Sequence, residues 1–147
     1  MGNRQEIGNS EVSTGSENQG VERYEVSPLP GCDPIVGQWL WAMGEARKRT
    51  LGLIEGLDQH TLDWESPDQN GNAIGSLLYH IAEVEMGWLW NNIRGLTEMP
   101  PAVLADFPLQ PEYEKTGRIT VVREVALEEH LARLDKSREV FWRRSKD

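Results

Sequence analysis

The sequence predicts an all-α fold, an up-down bundle of three helices with a long crossover between the second and the third. Three segments repeat apolar residues with the 3.6-residue period of an amphipathic helix. The first two of these segments carry start signals and end near a glycine, as helices of soluble proteins commonly do. The stretch between the second and third segments contains several prolines and is too long for a simple turn, which indicates a crossover.

Residues 1–21 are expected to form a disordered tail, and residues 22–147 to form a single helical domain. The tail is rich in Gly, Ser, Asn and Glu, so it has too little apolar surface to offset the entropy lost on ordering. Residues 24–30 should be extended, because their two prolines disfavour a helix.

The first helix is predicted to begin at Asp33 and to run to about Leu57. Asp33 is a suitable N-cap, and Pro34 suits the first helical position because it lacks an N–H that would need a partner. Gly56 lies near the predicted end. A polar loop over residues 60–71 should follow.

The second helix is predicted to be capped by Asn72 and to run to about Arg94, stopping at Gly95. A helical wheel places His80 at the margin of an apolar stripe that we expect to face inward. The stripe consists of Ala73, Leu77, Ile81, Val84 and Trp88. His80 is then either a core histidine whose ring nitrogens have partners or a metal ligand. Spacing alone favours the core interpretation, because one histidine does not make a site.

The third helix is predicted from about Val125 to Arg144, with its inward residues beginning at Leu127. A short extended pair is expected around residues 118–122, within the long connection that covers 96–122. The printed sequence stops inside the helical pattern. Because each helix of an antiparallel bundle needs two neighbours, we expect that a fourth helix is missing.

Composition narrows the classes of function. The net charge of −9 argues against nucleic acid as a partner, since phosphate binding needs a basic surface. Cys32 is the only cysteine, which excludes an internal disulfide and suits a reducing cytoplasm. No apolar run reaches the roughly 18 residues that span a bilayer, and the N-terminus does not resemble a signal peptide. We expect a soluble, cytoplasmic protein.

Common catalytic motifs are not found in the sequence, which has no His-Glu-x-x-His, phosphate-binding loop or nucleophile elbow. A di-iron site is also excluded, because leucines stand three residues before His80 and His130. His60 is expected to be exposed, and His130 to lie at the surface or its boundary. Glu83, one turn from His80, could be a second ligand, a hydrogen-bond partner of the ring or a solvated charge.

Several segments resemble the DinB-like (DinB/YfiT) superfamily, over about residues 22–142. They are residues 24–31, residues 51–57 with 62–64, residues 74–85 with Trp88, and residues 127–135. The motif around His80 in the second helix is the most specific of them. The resemblance implies a four-helix bundle with a long crossover between its second and third helices.

The resemblance also implies a divalent metal, zinc or nickel, held by three histidines. One comes from the second helix, where His80 matches, and two come from a His-x-x-x-His pair on the fourth helix. Characterised relatives include thiol transferases that use bacillithiol or mycothiol, and a metal-dependent maleylpyruvate isomerase. Since this sequence contains no His-x-x-x-His pair, we expect metal binding to be weak or absent.

Two hypotheses of different classes follow. The first is a metal-dependent transferase or hydrolase acting on a small, thiol-containing substrate, impaired by the missing helix, with His80 as ligand and Glu83 supporting it. The second is a non-catalytic helical module, in which a partner or a second copy in a homodimer covers the bare face. A truncated remnant of marginal stability is a third interpretation.

Overall fold

The computed structural model describes residues 25–68, 70–109 and 117–144, and these residues form helices and no strands. The helices are α1 (Pro34–Ile54), α2 (Gln59–Asp63), α3 (Ile74–Gly87), α4 (Pro101–Leu104) and α5 (Leu127–Arg144). A π-helical segment, Trp88–Ile93, continues α3. The predicted all-α class is confirmed. None of the described helices combines the length and apolarity needed to cross a bilayer, and the predicted tail over residues 1–21 lies outside the described residues.

Helix α1 begins as the sequence predicts. The Asp33 carboxylate accepts hydrogen bonds from the backbone N–H groups of Ile35, at 2.8 Å, and Val36, at 3.3 Å. These bonds satisfy two of the donors that the first turn of a helix leaves without an intrahelical partner. The helix ends just before Gly56, whose φ of +73° is a conformation that glycine adopts at little cost.

Helix α3 starts later than predicted, because Ala73 and not Asn72 is its N-cap residue. Ala73 has no side-chain acceptor for a capping bond, but its methyl group is buried in the core. Packing therefore sets the start of this helix, and the better capping residue stands one position too early. After the π-helical segment the chain leaves the helix at Gly95, as predicted, with a φ of +67°.

The predicted inward face of α3 is wrong for most of its length. Helix α3 and its π-helical extension bury Leu78, Tyr79, Ala82, Met86 and Leu89. Four residues of the predicted stripe, Leu77, Ile81, Val84 and Trp88, instead have exposures between 36% and 59%, and we call them the α3 outer face. Because α3 carries apolar residues on both sides, hydrophobic periodicity could not decide which side packs against the neighbouring helices.

Glu85 belongs to the buried side of α3 and is only 7% exposed. Arg47 of α1 donates a hydrogen bond to its carboxylate at 2.6 Å, and Ser137 of α5 donates another at 2.8 Å. Arg138 of α5 donates through both Nε and Nη2. Arg47 also donates to the backbone oxygen of Leu134 at 2.8 Å. One buried carboxylate thereby joins the three long helices.

The crossover is attached to α3 by the Tyr79 side chain. Its hydroxyl accepts a hydrogen bond from the Leu109 N–H at 3.1 Å and lies 3.2 Å from the Leu109 carbonyl oxygen, to which it donates. The Tyr79 ring packs edge to face against Phe107, with ring centroids 5.6 Å apart. Further along, the Ser76 hydroxyl accepts a hydrogen bond from the Val122 N–H at 2.9 Å. The predicted extended pair around 118–122 does not form, because this segment bonds to α3 instead of to another strand.

Replacing Glu85 with Gln should lower the free energy of unfolding by about 3 kcal/mol, because two largely buried arginines would lose their carboxylate. Urea denaturation would measure the change. Glu139→Gln is the matched control, since the exposed Glu139–Arg143 pair on α5 should contribute no more than about 0.5 kcal/mol. A loss in Glu85→Gln no larger than in the control would contradict the proposed role of Glu85.

Tyr79→Phe should cost about 1–2 kcal/mol and speed hydrogen exchange at the Leu109 amide, because both backbone groups of Leu109 lose their partner. Thr120→Val provides the opposite case. The Thr120 hydroxyl is buried without a hydrogen-bond partner among the described residues, so its removal should be neutral or stabilising. Equal destabilisation by the two substitutions would argue against the Tyr79 anchor.

Candidate functional site

His80 is not a core residue, so the core interpretation favoured by its spacing is wrong. Its side chain is 40% exposed. Being three residues from Leu77 and four from Val84, it lies beside the α3 outer face. The imidazole Nδ1 is 3.7 Å from a carboxylate oxygen of Glu83. That separation suits an ion pair with a protonated ring and is too long for a good hydrogen bond.

Glu83 lies at the border between the buried side of α3 and its outer face. Its side chain is only 16% exposed, which is at odds with the interpretation of a freely solvated charge. Burial raises the pKa of the Glu83 carboxyl, and the neighbouring His80 partly offsets that rise. An imidazole and a carboxylate on adjacent turns can bind a cation together or exchange a proton.

The described residues supply only part of a binding site for the zinc or nickel ion that the resemblance implies. Among them, no group of three or more His, Cys, Asp or Glu side chains lies close enough together to hold a metal ion. Zinc sites normally use three or four protein ligands, whereas His80 and Glu83 supply two. The described part of the chain therefore does not form the three-histidine site that the resemblance implies, and no reaction step through a metal can be derived from it.

His130 lies in the core, where the sequence predicts a surface or boundary residue. It is 1% exposed, on the α5 face that also buries Leu134, Ser137 and Phe141. A Cβ atom on Gly75 would lie 3.2 Å from His130 Nε2, so the glycine gives the ring room against α3. The predicted inward set that begins at Leu127 includes Leu134, which is buried here, but hydrophobic periodicity counts apolar side chains only and so could not place the polar His130 on this face.

The buried His130 ring favours its neutral form. Nδ1 has no hydrogen-bond partner among the described residues. Burial lowers the pKa of His130, and the positive charge of Arg133 lowers it further. Glu129 and Asp63 act in the opposite direction without reversing the shift. His130 therefore resists protonation in the folded protein.

The family model for the DinB superfamily matches residues 42–144, which is well over half of the sequence. The chain belongs to the DinB superfamily. No curated protein and no solved structure gives a match. The matched range contains α3 with His80 and Glu83, the whole of α5, and the part of α1 that carries Arg47. It confirms the family predicted from the motif around His80.

Lowering the pH from about 7.5 to 5.5 should destabilise this DinB domain through His130. Its pKa is lowered by folding, so below the unfolded value of about 6.5 the unfolded chain binds a proton that the folded state resists. The contribution of His130 to the free energy of unfolding is therefore fully present above the pKa of the unfolded chain, and it is lost as the pH falls below that pKa. Urea midpoints at the two pH values would measure the loss.

In His130→Gln the acid-induced drop should be smaller than in the wild type, while carboxylates contribute similarly to both proteins. His60→Gln, at an exposed position on α2, should keep the full drop. An equal drop in His130→Gln and wild type would show that His130 does not cause it.

Proposed function

We propose that this DinB domain acts in metal-dependent transfer or hydrolysis on a small substrate, including thiol-containing ones, with His80 as a ligand of zinc or nickel. The observation that carries the proposal is the pair formed by His80 and Glu83, in which an accessible imidazole lies 3.7 Å from a largely buried carboxylate. The resemblance supports it, since the residue that His80 matches is a metal ligand in the family.

The pair has the chemistry that a divalent cation prefers. Histidine nitrogen and carboxylate oxygen are both common zinc ligands. Burial penalises the negative charge of Glu83 and raises the pKa of its carboxyl, and a bound cation would offset that penalty. Two donors bind weakly, so a complete site needs at least one further ligand from outside the described residues. The exposed position of His80 leaves it accessible to such a ligand.

The full chain, dialysed against excess zinc or nickel, should retain metal that His80→Ala does not retain. Inductively coupled plasma mass spectrometry would measure the bound metal. His60→Ala is the matched control and should bind as the wild type does, because His60 lies on α2 and takes no part in the pair. Glu83→Gln should weaken binding roughly tenfold, as loss of a group that supports a metal ligand commonly does. Wild-type protein that retains no more metal than His80→Ala would contradict the proposal.

A second candidate function, a non-catalytic module that forms a homodimer, is favoured by the α3 outer face. Its four residues follow one another at intervals of four, three and four positions, and this series of intervals is the same when the helix is read from either end. A second copy packed antiparallel about a two-fold axis would set Leu77 against Trp88, and Ile81 against Val84. The same spacing is that of helices packed as a coiled coil.

If this candidate is right, sedimentation equilibrium should show a dimer that Ile81→Lys dissociates, because a charge would be buried at the centre of the interface. Val121→Lys is the control, since Val121 is an exposed apolar residue outside the α3 outer face. His80→Ala should leave the dimer intact, which separates this function from metal binding. A wild-type monomer at the highest soluble concentration would rule the homodimer out.

A further inference from the structure

A cleft of about 650 Å³ opens between α5 and the segment that carries α4. Its volume falls within the range of about 300–1,000 Å³ that is typical of small-molecule sites. The apolar part of its wall includes Met86, Trp90, Phe107 and Val140. Neither His80 nor Glu83 lines the cleft, so a ligand bound here would not depend on that pair.

The cleft has the opposite charge to the chain as a whole. Four of its lining residues are cationic and two are anionic, which gives the wall a net charge of +2. They are Arg133, Lys136, Arg143 and Arg144, with Asp106 and Glu129. The complete sequence carries −9. A basic concave surface on an acidic protein raises the local concentration of anions and favours an anionic ligand.

Arg133 is the cation in this wall best placed to bind an anion. Lys136 lies 2.7 Å from the Asp106 carboxylate, and Arg143 pairs with Glu139. In contrast, no carboxylate of the described residues lies within ion-pair distance of Arg133. Its Nη1 atom is buried and has no hydrogen-bond partner among the described residues. A planar guanidinium in this condition is suited to donate two parallel hydrogen bonds to a carboxylate.

The guanidinium is also held in place before any ligand arrives. Arg133 Nε donates to the backbone oxygen of Asp106 at 3.2 Å, and Cζ lies 4.9 Å from the centre of the Tyr79 ring. Both contacts restrict the side chain, so less conformational entropy is lost on binding. Trp90 adds an indole N–H that is buried without an acceptor among the described residues. The wall therefore combines apolar surface with a guanidinium that is already positioned, and buried donors without acceptors lie next to it.

We propose that this cleft binds a small carboxylate with an apolar body, whose carboxylate group pairs with Arg133 and whose body packs against Trp90, Phe107 and Val140. The net positive charge selects the anion. The apolar wall selects a ligand that is more than a simple inorganic anion.

Calorimetric titration of the full chain with phenylacetate and with octanoate tests the proposal. Each carboxylate should bind saturably, and the neutral analogue phenylacetamide should bind at least about tenfold more weakly, since it cannot form the charged hydrogen bonds. Arg133→Gln should weaken phenylacetate binding by a similar factor. Arg123→Gln should not, because that exposed arginine pairs with Glu65 and does not line the cleft.

Ala132→Trp provides a test that leaves the charge of the cleft unchanged. Ala132 is an exposed lining residue on α5, and a large side chain there should fill the cleft and abolish binding. His80→Ala should bind phenylacetate as the wild type does, so that failure of the metal proposal and failure of this one can be distinguished. The proposal would be overturned by the absence of saturable carboxylate binding, by equal affinity for phenylacetamide, or by unchanged binding in either Arg133→Gln or Ala132→Trp.

Discussion

The buried Glu85 carboxylate is the constraint on which the arrangement of the long helices depends. A carboxylate with so little exposure is tolerated only when its charge and its hydrogen-bonding capacity are met, and here Arg47, Ser137 and Arg138 meet them. These partners come from α1 and from α5, so the polar cluster fixes how these two helices are placed against α3. Apolar packing around Leu78 and Leu134 then fills the remaining space.

Placing Glu85 inside determines what α3 presents outside. The helix is apolar on two sides, and with one side committed to the Glu85 cluster the α3 outer face and His80 are left accessible. The same exposure underlies both candidate functions. An accessible imidazole beside a largely buried carboxylate suits a cation, whereas the apolar residues next to it suit a second helix surface.

The cleft beside α5 is built from residues of several separate elements of the chain. All four of its cations come from α5, whereas much of its apolar wall comes from the end of α3 and from the crossover. The Tyr79 ring links these parts, because it packs against Phe107 on one side and lies beneath Arg133 on the other. Attachment of the crossover and orientation of the ligand-binding arginine thus depend on the same aromatic side chain.

The sequence by itself determined the helical class, the N-cap at Asp33, the stop at Gly95 and the family, because each follows from local chemistry or from a short motif. It also singled out His80 and its neighbour Glu83. Only the tertiary structure decided which side of α3 is buried, that His130 lies in the core, and that Glu85 joins three helices. The reason is physical: helical periodicity describes one element at a time, whereas burial of a carboxylate or an imidazole depends on partners that are distant in the chain, such as Arg47 and Gly75.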